Sequence, residues 1–235
     1  MQVKPFARQC WAALHSKGKD SKSVFLEQVL IALTWVHELV REPKLLRAVR
    51  FLRPGRLQAA VASDASPVGG GALLYIFPAE VQITMEAIRS LTPWAWMQRR
   101  WTTYDETIAE SSINDPGSQA RWEAYAIISA LIYWAKVAFE TRGTVTVIGD
   151  ALGVMFGANA LHSADAHINR LFMELALVVA PNGRSLEAVH VWSEDNSLAD
   201  ELSRMLPDTR PPASLQGVRR TPWREDIDWI IIKRV

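Results

Sequence analysis

The feature that most constrains this chain is a change of apolar period near residue 57, followed by an alternation of strand-like and helix-like segments. Leu57-Gln58-Ala59-Ala60-Val61-Ala62 leads to Asp64. The glycines Gly69-Gly70-Gly71 precede the apolar run Ala72–Phe77, and Val81, Ile83 and Met85 alternate with polar residues. These predict three consecutive strands in an antiparallel meander, with the glycines as a turn. Residues 90–118 read as irregular. A long helix is expected from Gln119 to Glu140, with Ala124, Ile127, Ile128, Leu131 and Trp134 on one face. A β-branched strand, Thr144–Ile148, follows. Helices near Leu152–Ala160 and from Ala164 to Val179 come next, then a strand over Leu186–Trp192. The last helix spans Asn196 to Leu206, with Asn196 or Ser197 as N-cap. Meander first and alternation afterwards implies an α/β fold: a five-stranded mixed sheet with helices on both faces.

The flanks differ from this body. Residues 1–52 show helical spacing at Phe6, Cys10, Trp11 and Leu14, and again from Phe25 to Val40. Two helices bury little by themselves, so this is expected to be a helical attachment. Beyond Pro207, the prolines and arginines of residues 207–235 suggest a tail, in which 222–232 adds a strand or packs on the body. The expected organisation is therefore 1–52, 57–206 and 207–235. Nearly half of the 235 residues are apolar and the net charge is +1, so any nucleic-acid contact must come from a local patch. Cys10 is the single cysteine, which excludes an internal disulfide and fits a reducing compartment. The N-terminus lacks a signal-peptide layout, and no apolar run reaches the roughly 18 residues that span a bilayer. An intracellular location is expected, cytoplasm and nucleus not being distinguishable, with no membrane.

Four carboxylates sit at chemically suggestive places. Asp64 ends the first strand of the body and Asp150 ends the strand Thr144–Ile148; parallel neighbours would bring these two together. Glu123 and Asp200 fall in the expected first turns of two helices. Each alone has a plainer reading as a turn or capping acid. Jointly they can converge, and four close carboxylates repel unless a cation joins them. Oxygen donors suit magnesium or manganese rather than zinc. Two such ions can activate a water and stabilise the leaving oxygen of a phosphodiester.

The sequence at these positions resembles the ribonuclease H domain of retroelement reverse transcriptases. Asp64-Ala65-Ser66-Pro67-Val68-Gly69-Gly70-Gly71-Ala72 is similar to the first motif of that family, Trp122-Glu123-Ala124-Tyr125-Ala126 to the second, and Val147-Ile148-Gly149-Asp150 to the third. The stretch from His190 to Arg204, through Asn196-Ser197-Leu198-Ala199-Asp200, resembles the fourth and is the most specific. The ordered set covers residues 57–206. The resemblance implies a ribonuclease H-like fold and cleavage of the RNA strand of RNA–DNA hybrids by two ions of Mg2+ or Mn2+. Asp64 would bridge both ions, Glu123 and Asp150 would complete the water-activating site, and Asp200 would hold the second ion. It also implies a polymerase domain as partner, in cis or as polyprotein, with residues 1–52 standing where the thumb or connection would end. No Tyr/Phe-x-Asp-Asp polymerase motif is present, so polymerisation is not expected.

The chain departs from that pattern in two places. Ala151 follows Asp150 where Asn is common, and Trp192-Ser193 follow Val191 where Pro-Gly is common. His190, in an expected strand, reads as structural. Gly69-Gly70-Gly71 lacks the Lys-Ser/Thr of a phosphate loop. His162 and His167 beside Asp165 are explained by a loop as well as by a metal. Arg99-Arg100 with Trp96 and Trp101 are a candidate basic, aromatic patch against a solvated-loop default, as are Arg219-Arg220 and Arg224. Ser66, two residues after Asp64, disfavours a proofreading exonuclease. The competing expectation is a catalytically inactive scaffold or nucleic-acid-binding module from a decayed retroelement.

Overall fold

In a computed structural model of the chain, residues 57–135, 144–179, 185–206 and 208–223 are described, with positions 29, 30, 32–34, 37, 41, 227, 229 and 232. Most of the expected helical segment 1–52 lies outside these; the described positions within it are helical. The body is α/β, built on a six-stranded mixed sheet. Strands β1 (Leu57–Ser66), β2 (Gly69–Pro78) and β3 (Ala95–Arg100) pair antiparallel. β4 (Thr144–Gly149) runs parallel to β1, β5 (Ser185–His190) parallel to β4, and β6 (Arg219–Arg220) parallel to β3. The order across the sheet is β5-β4-β1-β2-β3-β6. The expectation of five strands is thus exceeded by one short edge strand.

The alternation of side chains along each strand divides two cores. Ala59, Val61, Leu74, Met97, Val145 and Val147 face a layer containing α3 (Gln119–Tyr133), α4 (Leu152–Ala160) and α5 (Ala166–Val179). Ala60, Ala62, Leu73, Tyr75, Trp96 and Ile148 face α1 (Met85–Ser90) and α6 (Ser197–Arg204). A further helix, α2 (Thr103–Ala109), follows β3. Helix α3 is buried nearly all round: positions 122 to 131 are all buried, which explains why its apolar residues show so little one-sidedness. It closes at Trp134, whose N–H donates to the Ala130 carbonyl at 2.9 Å; positions 136–140 of the expected helix lie outside the described residues. Among the described residues, no helix is long and apolar enough to cross a membrane. Beyond Pro207, Leu215, Ile227 and Trp229 are buried against the body.

Two expectations are corrected. The third strand is Ala95–Arg100, inside the region read as irregular, and not Val81–Met85. Val81, Ile83 and Met85 are half-buried loop and helix-start residues, with Thr84 accepting from the Ala87 N–H at 3.1 Å as an N-cap. The strand escaped the pattern because its polar residues are satisfied internally. Gln98 donates to the Met205 carbonyl at 3.0 Å, and Arg99 Nε donates to Asp105 at 2.8 Å. Second, Gly69-Gly70-Gly71 are strand residues of β2, not a turn; Pro67-Val68 make the turn. A Cβ on Gly71 would lie 2.4 Å from Leu202 Cβ and one on Gly69 2.7 Å from the Ser203 carbonyl. On the opposite face, a Cβ on Gly70 would meet the Trp101 ring at 2.3 Å. The glycines let α6 and Trp101 lie directly on the strand.

Candidate metal centre

Parallel pairing sets the centre. Ala62 is opposite Ile148, so two residues further on Asp64 and Asp150 emerge side by side at the same end of the sheet. Asp64 is not the last residue of its strand: β1 continues to Ser66, with Asp64 opposite Gly71. Glu123 reaches the same end from α3. It lies in the second turn of that helix rather than the first, because α3 already begins at Gln119. Asp64, Glu123 and Asp150 each offer one oxygen, all within 4.8 Å of one another. Asp64 and Glu123 are buried and Asp150 is half-buried.

The supporting contacts show how each carboxylate is aimed. Gln119, one turn before Glu123, donates to Glu123 Oε1 at 2.8 Å and also donates to the Ala65 carbonyl. The Ala65 N–H hydrogen-bonds to Glu123. Ser193 Oγ donates to Asp150 Oδ2 at 2.6 Å, and the His190 Nε2 lies 3.0 Å from the Asp150 carbonyl oxygen. The Ser203 hydroxyl hydrogen-bonds to Asp64, yet Asp64 Oδ2 is buried and has no hydrogen-bond partner. A buried carboxylate oxygen without a hydrogen-bond partner, on a residue clustered with two further carboxylates, is chemistry that a cation fits.

Burial pushes the Asp64 carboxyl up to about 7, with the charges of Asp150 and Asp200 adding to the rise; Ser203 and Arg204 oppose it. Glu123 is raised well above the usual carboxylate range, first by burial and then by Asp64 and Asp150. Repulsion of this kind is what a bound cation relieves. This cluster of three acids can therefore hold a metal ion, and the all-oxygen chemistry of its donors fits one.

Asp200, the fourth expected member, stands apart from that group. It lies in the first turn of α6, near enough for its charge to raise Asp64. Its own Oδ1 accepts from Arg204 Nη2 at 2.6 Å and Nε at 2.7 Å. The helix carrying it is pinned to the sheet by Ser66 Oγ donating to the Ser203 carbonyl at 2.9 Å, by Gln98, and by the glycine contacts. Asn196, one of the expected N-caps, precedes α6 but makes no side-chain cap; its Nδ2 donates to the Ser63 carbonyl at 2.9 Å, tying this connection to β1.

The residues that support the acids were not singled out from sequence. Gln119 and Arg204 carried a signal, the i,i+4 spacing from Glu123 and Asp200. Ser193 and Ser203 carried none, since their roles depend on how the β5–α6 segment folds over β1 and β4. The other candidates have different partners. Among the described residues, Asp64-Glu123-Asp150 is the group that could hold a metal. His167 Nδ1 lies 3.1 Å from Glu110, His162 faces Asn169, and Asp165 takes Arg121 at 3.1 Å. Arg99 is bound to buried Asp105, Trp96 is buried, and Trp101 is buried and stacks on Trp122 at 4.8 Å, so these three do not form a surface patch. No family model matches the chain, and no curated protein is significantly similar to it.

Proposed function

We propose that this chain is a metal-dependent endonuclease of ribonuclease H-like fold that hydrolyses the RNA strand of RNA–DNA hybrids, as part of a retrotransposon reverse transcriptase polyprotein. The observation that carries the reading is the convergence of Asp64, Glu123 and Asp150 at the carboxyl ends of two parallel strands. Resemblance to the four ordered motifs of retroelement ribonuclease H domains supports it, as does a sheet with three antiparallel strands leading into parallel ones.

Asp64, Glu123 and Asp150 would hold one Mg2+ or Mn2+, and Asp200 with Asp64 a second. Such ions, when bound, supply charge neutralisation at a phosphodiester and a lowered pKa for an attacking water. The chain's own part is placement. Gln119 and the Ala65 N–H orient Glu123, Ser193 holds Asp150, and the glycine-seated helix α6 brings Asp200 near. Arg204 neutralises Asp200 in the absence of another cation, and an ion held by Asp200 would have to take its place. Recognition of a hybrid would rest on backbone and 2′-hydroxyls, with little base specificity.

The pairing of Asp200 with Arg204 favours one second reading, in which the same frame binds nucleic acid without cutting it. A cleavage assay at low salt and high enzyme concentration separates the two. Under the nuclease reading, the purified chain with magnesium cuts the RNA of a hybrid and leaves matching duplex DNA intact. Asp64→Asn removes most of that activity, an amide being a poor bridge between cations. Equal background cleavage by both proteins overturns the nuclease reading in favour of the binding module.

A further inference from the structure

The tryptophans of the described residues divide by what holds them. Trp96, Trp101, Trp122, Trp134 and Trp229 are buried, and Trp223 is half-buried with its ring 5.7 Å from that of Trp101. Trp94, at 42% exposure, carries the Arg219 guanidinium 5.3 Å above its ring. Trp192 is different: at 74% it is the most exposed large apolar side chain among the described residues.

Its backbone is nevertheless firmly placed. The Trp192 carbonyl accepts from the N–H groups of Asp195 at 2.8 Å and Asn196 at 3.2 Å, closing the 3-10 turn Ser193–Asn196. The next residue, Ser193, donates to the Asp150 carboxylate. The preceding strand ends at His190, which touches the Asp150 carbonyl and meets the Trp192 ring in a T-shaped contact, centroids 5.6 Å apart. Asn196 ties the far side of the turn to Ser63, beside Asp64. The segment is thus anchored to both aspartate-bearing strands and exposes an indole one residue from the Ser193 that holds Asp150.

We propose that Trp192 contacts the substrate of this centre, its indole packing against the sugars of the bound hybrid's backbone next to the phosphodiester that is cut. The inference rests on the nuclease reading and deepens it. Folding does not account for the placement, because so exposed a ring contributes little burial. An aromatic face that packs on a sugar touches no base edge, so it holds a strand in place without imposing a sequence. That suits a centre whose other contacts are to backbone. Ser193 links the two events: the residue that fixes Asp150 also fixes the backbone from which the indole projects.

The test is binding of a fluorescently labelled RNA–DNA hybrid to the full chain in an Asp64→Asn background, which does not cut, followed by anisotropy in magnesium. Trp192→Ala is expected to weaken binding roughly tenfold, and Trp192→Phe to retain most of it. Phe156→Ala, which removes a ring of similar exposure on α4 that lacks this anchoring, is expected to bind like the parent. The melting temperature of Trp192→Ala should stay at the parent value. Parent-like binding by Trp192→Ala, with the parent binding hybrid, overturns the role of Trp192 and leaves the nuclease reading standing. Loss of binding together with a lowered melting temperature also overturns it, by assigning Trp192 to the stability of the turn. Failure of the unaltered chain as well as the Asp64→Asn parent to bind hybrid overturns both.

Discussion

Replacing Asp64 by Asn tests whether the centre is built for a cation. Burial and neighbouring charge raise the Asp64 carboxyl from 3.8 to about 7, so in metal-free protein the folded state holds a proton that the unfolded state has released. Stability due to this group is complete below about pH 4 and is lost as pH climbs through 7. At about 1.4 kcal/mol per unit, the loss is on the order of 4 kcal/mol. Asparagine removes the charge but leaves a buried amide, whose NH2 can donate to the oxygens of Glu123 and Asp150. Part of the gain is therefore kept, and Asp64→Asn is expected to be more stable than the parent by roughly 1–3 kcal/mol at pH 8 in EDTA. At pH 4 the difference should nearly vanish. Magnesium should remove most or all of that advantage. A ligand of the folded state at one hundred times its Kd adds about 2.7 kcal/mol to the parent, and little to the variant. Urea melts of both proteins at the two pH values, with and without magnesium, give all the required differences. A variant less stable than the parent at pH 8 in EDTA, by the roughly 1 kcal/mol of a lost turn cap, would refute the reasoning. So would a parent whose midpoint ignores millimolar magnesium.

Two further outcomes follow from the packing. Gly71→Ala puts a methyl 2.4 Å from Leu202 Cβ and 2.9 Å from the Ala199 carbonyl, so α6 must shift; a loss of about 1–3 kcal/mol in chemical denaturation is expected, with hydrolysis falling more steeply than stability because Asp200 moves too. Asp105 is fully buried and accepts from Arg99, from the N–H and hydroxyl of Thr102, and from the Tyr125 hydroxyl at 2.6 Å; Asp105→Ala leaves the Arg99 guanidinium without its buried partner and should cost about 3–5 kcal/mol in the same melts, with Tyr125→Phe costing nearer 1 kcal/mol.

The parts of the fold legible in sequence are those whose pattern follows from burial on one side or both. β1, β4, β5, α4 and α5 fall within two residues of their expected bounds. β3 was not legible, because Gln98, Arg99 and Arg100 read as polar. Nothing local reveals that Gln98 will cap the end of α6 or that Arg99 will meet a buried aspartate two turns of chain away. The alternation at Val81, Ile83 and Met85 misled for the opposite reason: residues packing under a loop can imitate a half-buried strand. The edge strand Arg219–Arg220 has no apolar signature at all and is held by two rungs of pairing and by Arg220 over the Trp96 ring at 5.1 Å.

The candidate site was legible as chemistry and only partly as geometry. Asp64 and Asp150 could be matched because parallel strands carry sequence position directly into spatial level. Glu123 and Asp200 come from helices, and a helix places its side chains only after its axis is fixed. For α3 the axis follows from a nearly continuous apolar surface. For α6 it follows from absences: at Gly69 and Gly71 a missing Cβ, rather than an attractive contact, sets how near Asp200 can come. A run of glycines in sequence is open to several readings, turn and phosphate loop among them, and a seat for a helix is recognisable only once the helix is on it. The same argument explains Ser193 and Trp192. Their chemistry depends on a connection that crosses from β5 over Asp150 to β1, and two hydrogen bonds, to Asp150 and to Ser63, convert an unremarkable polar turn into part of the centre.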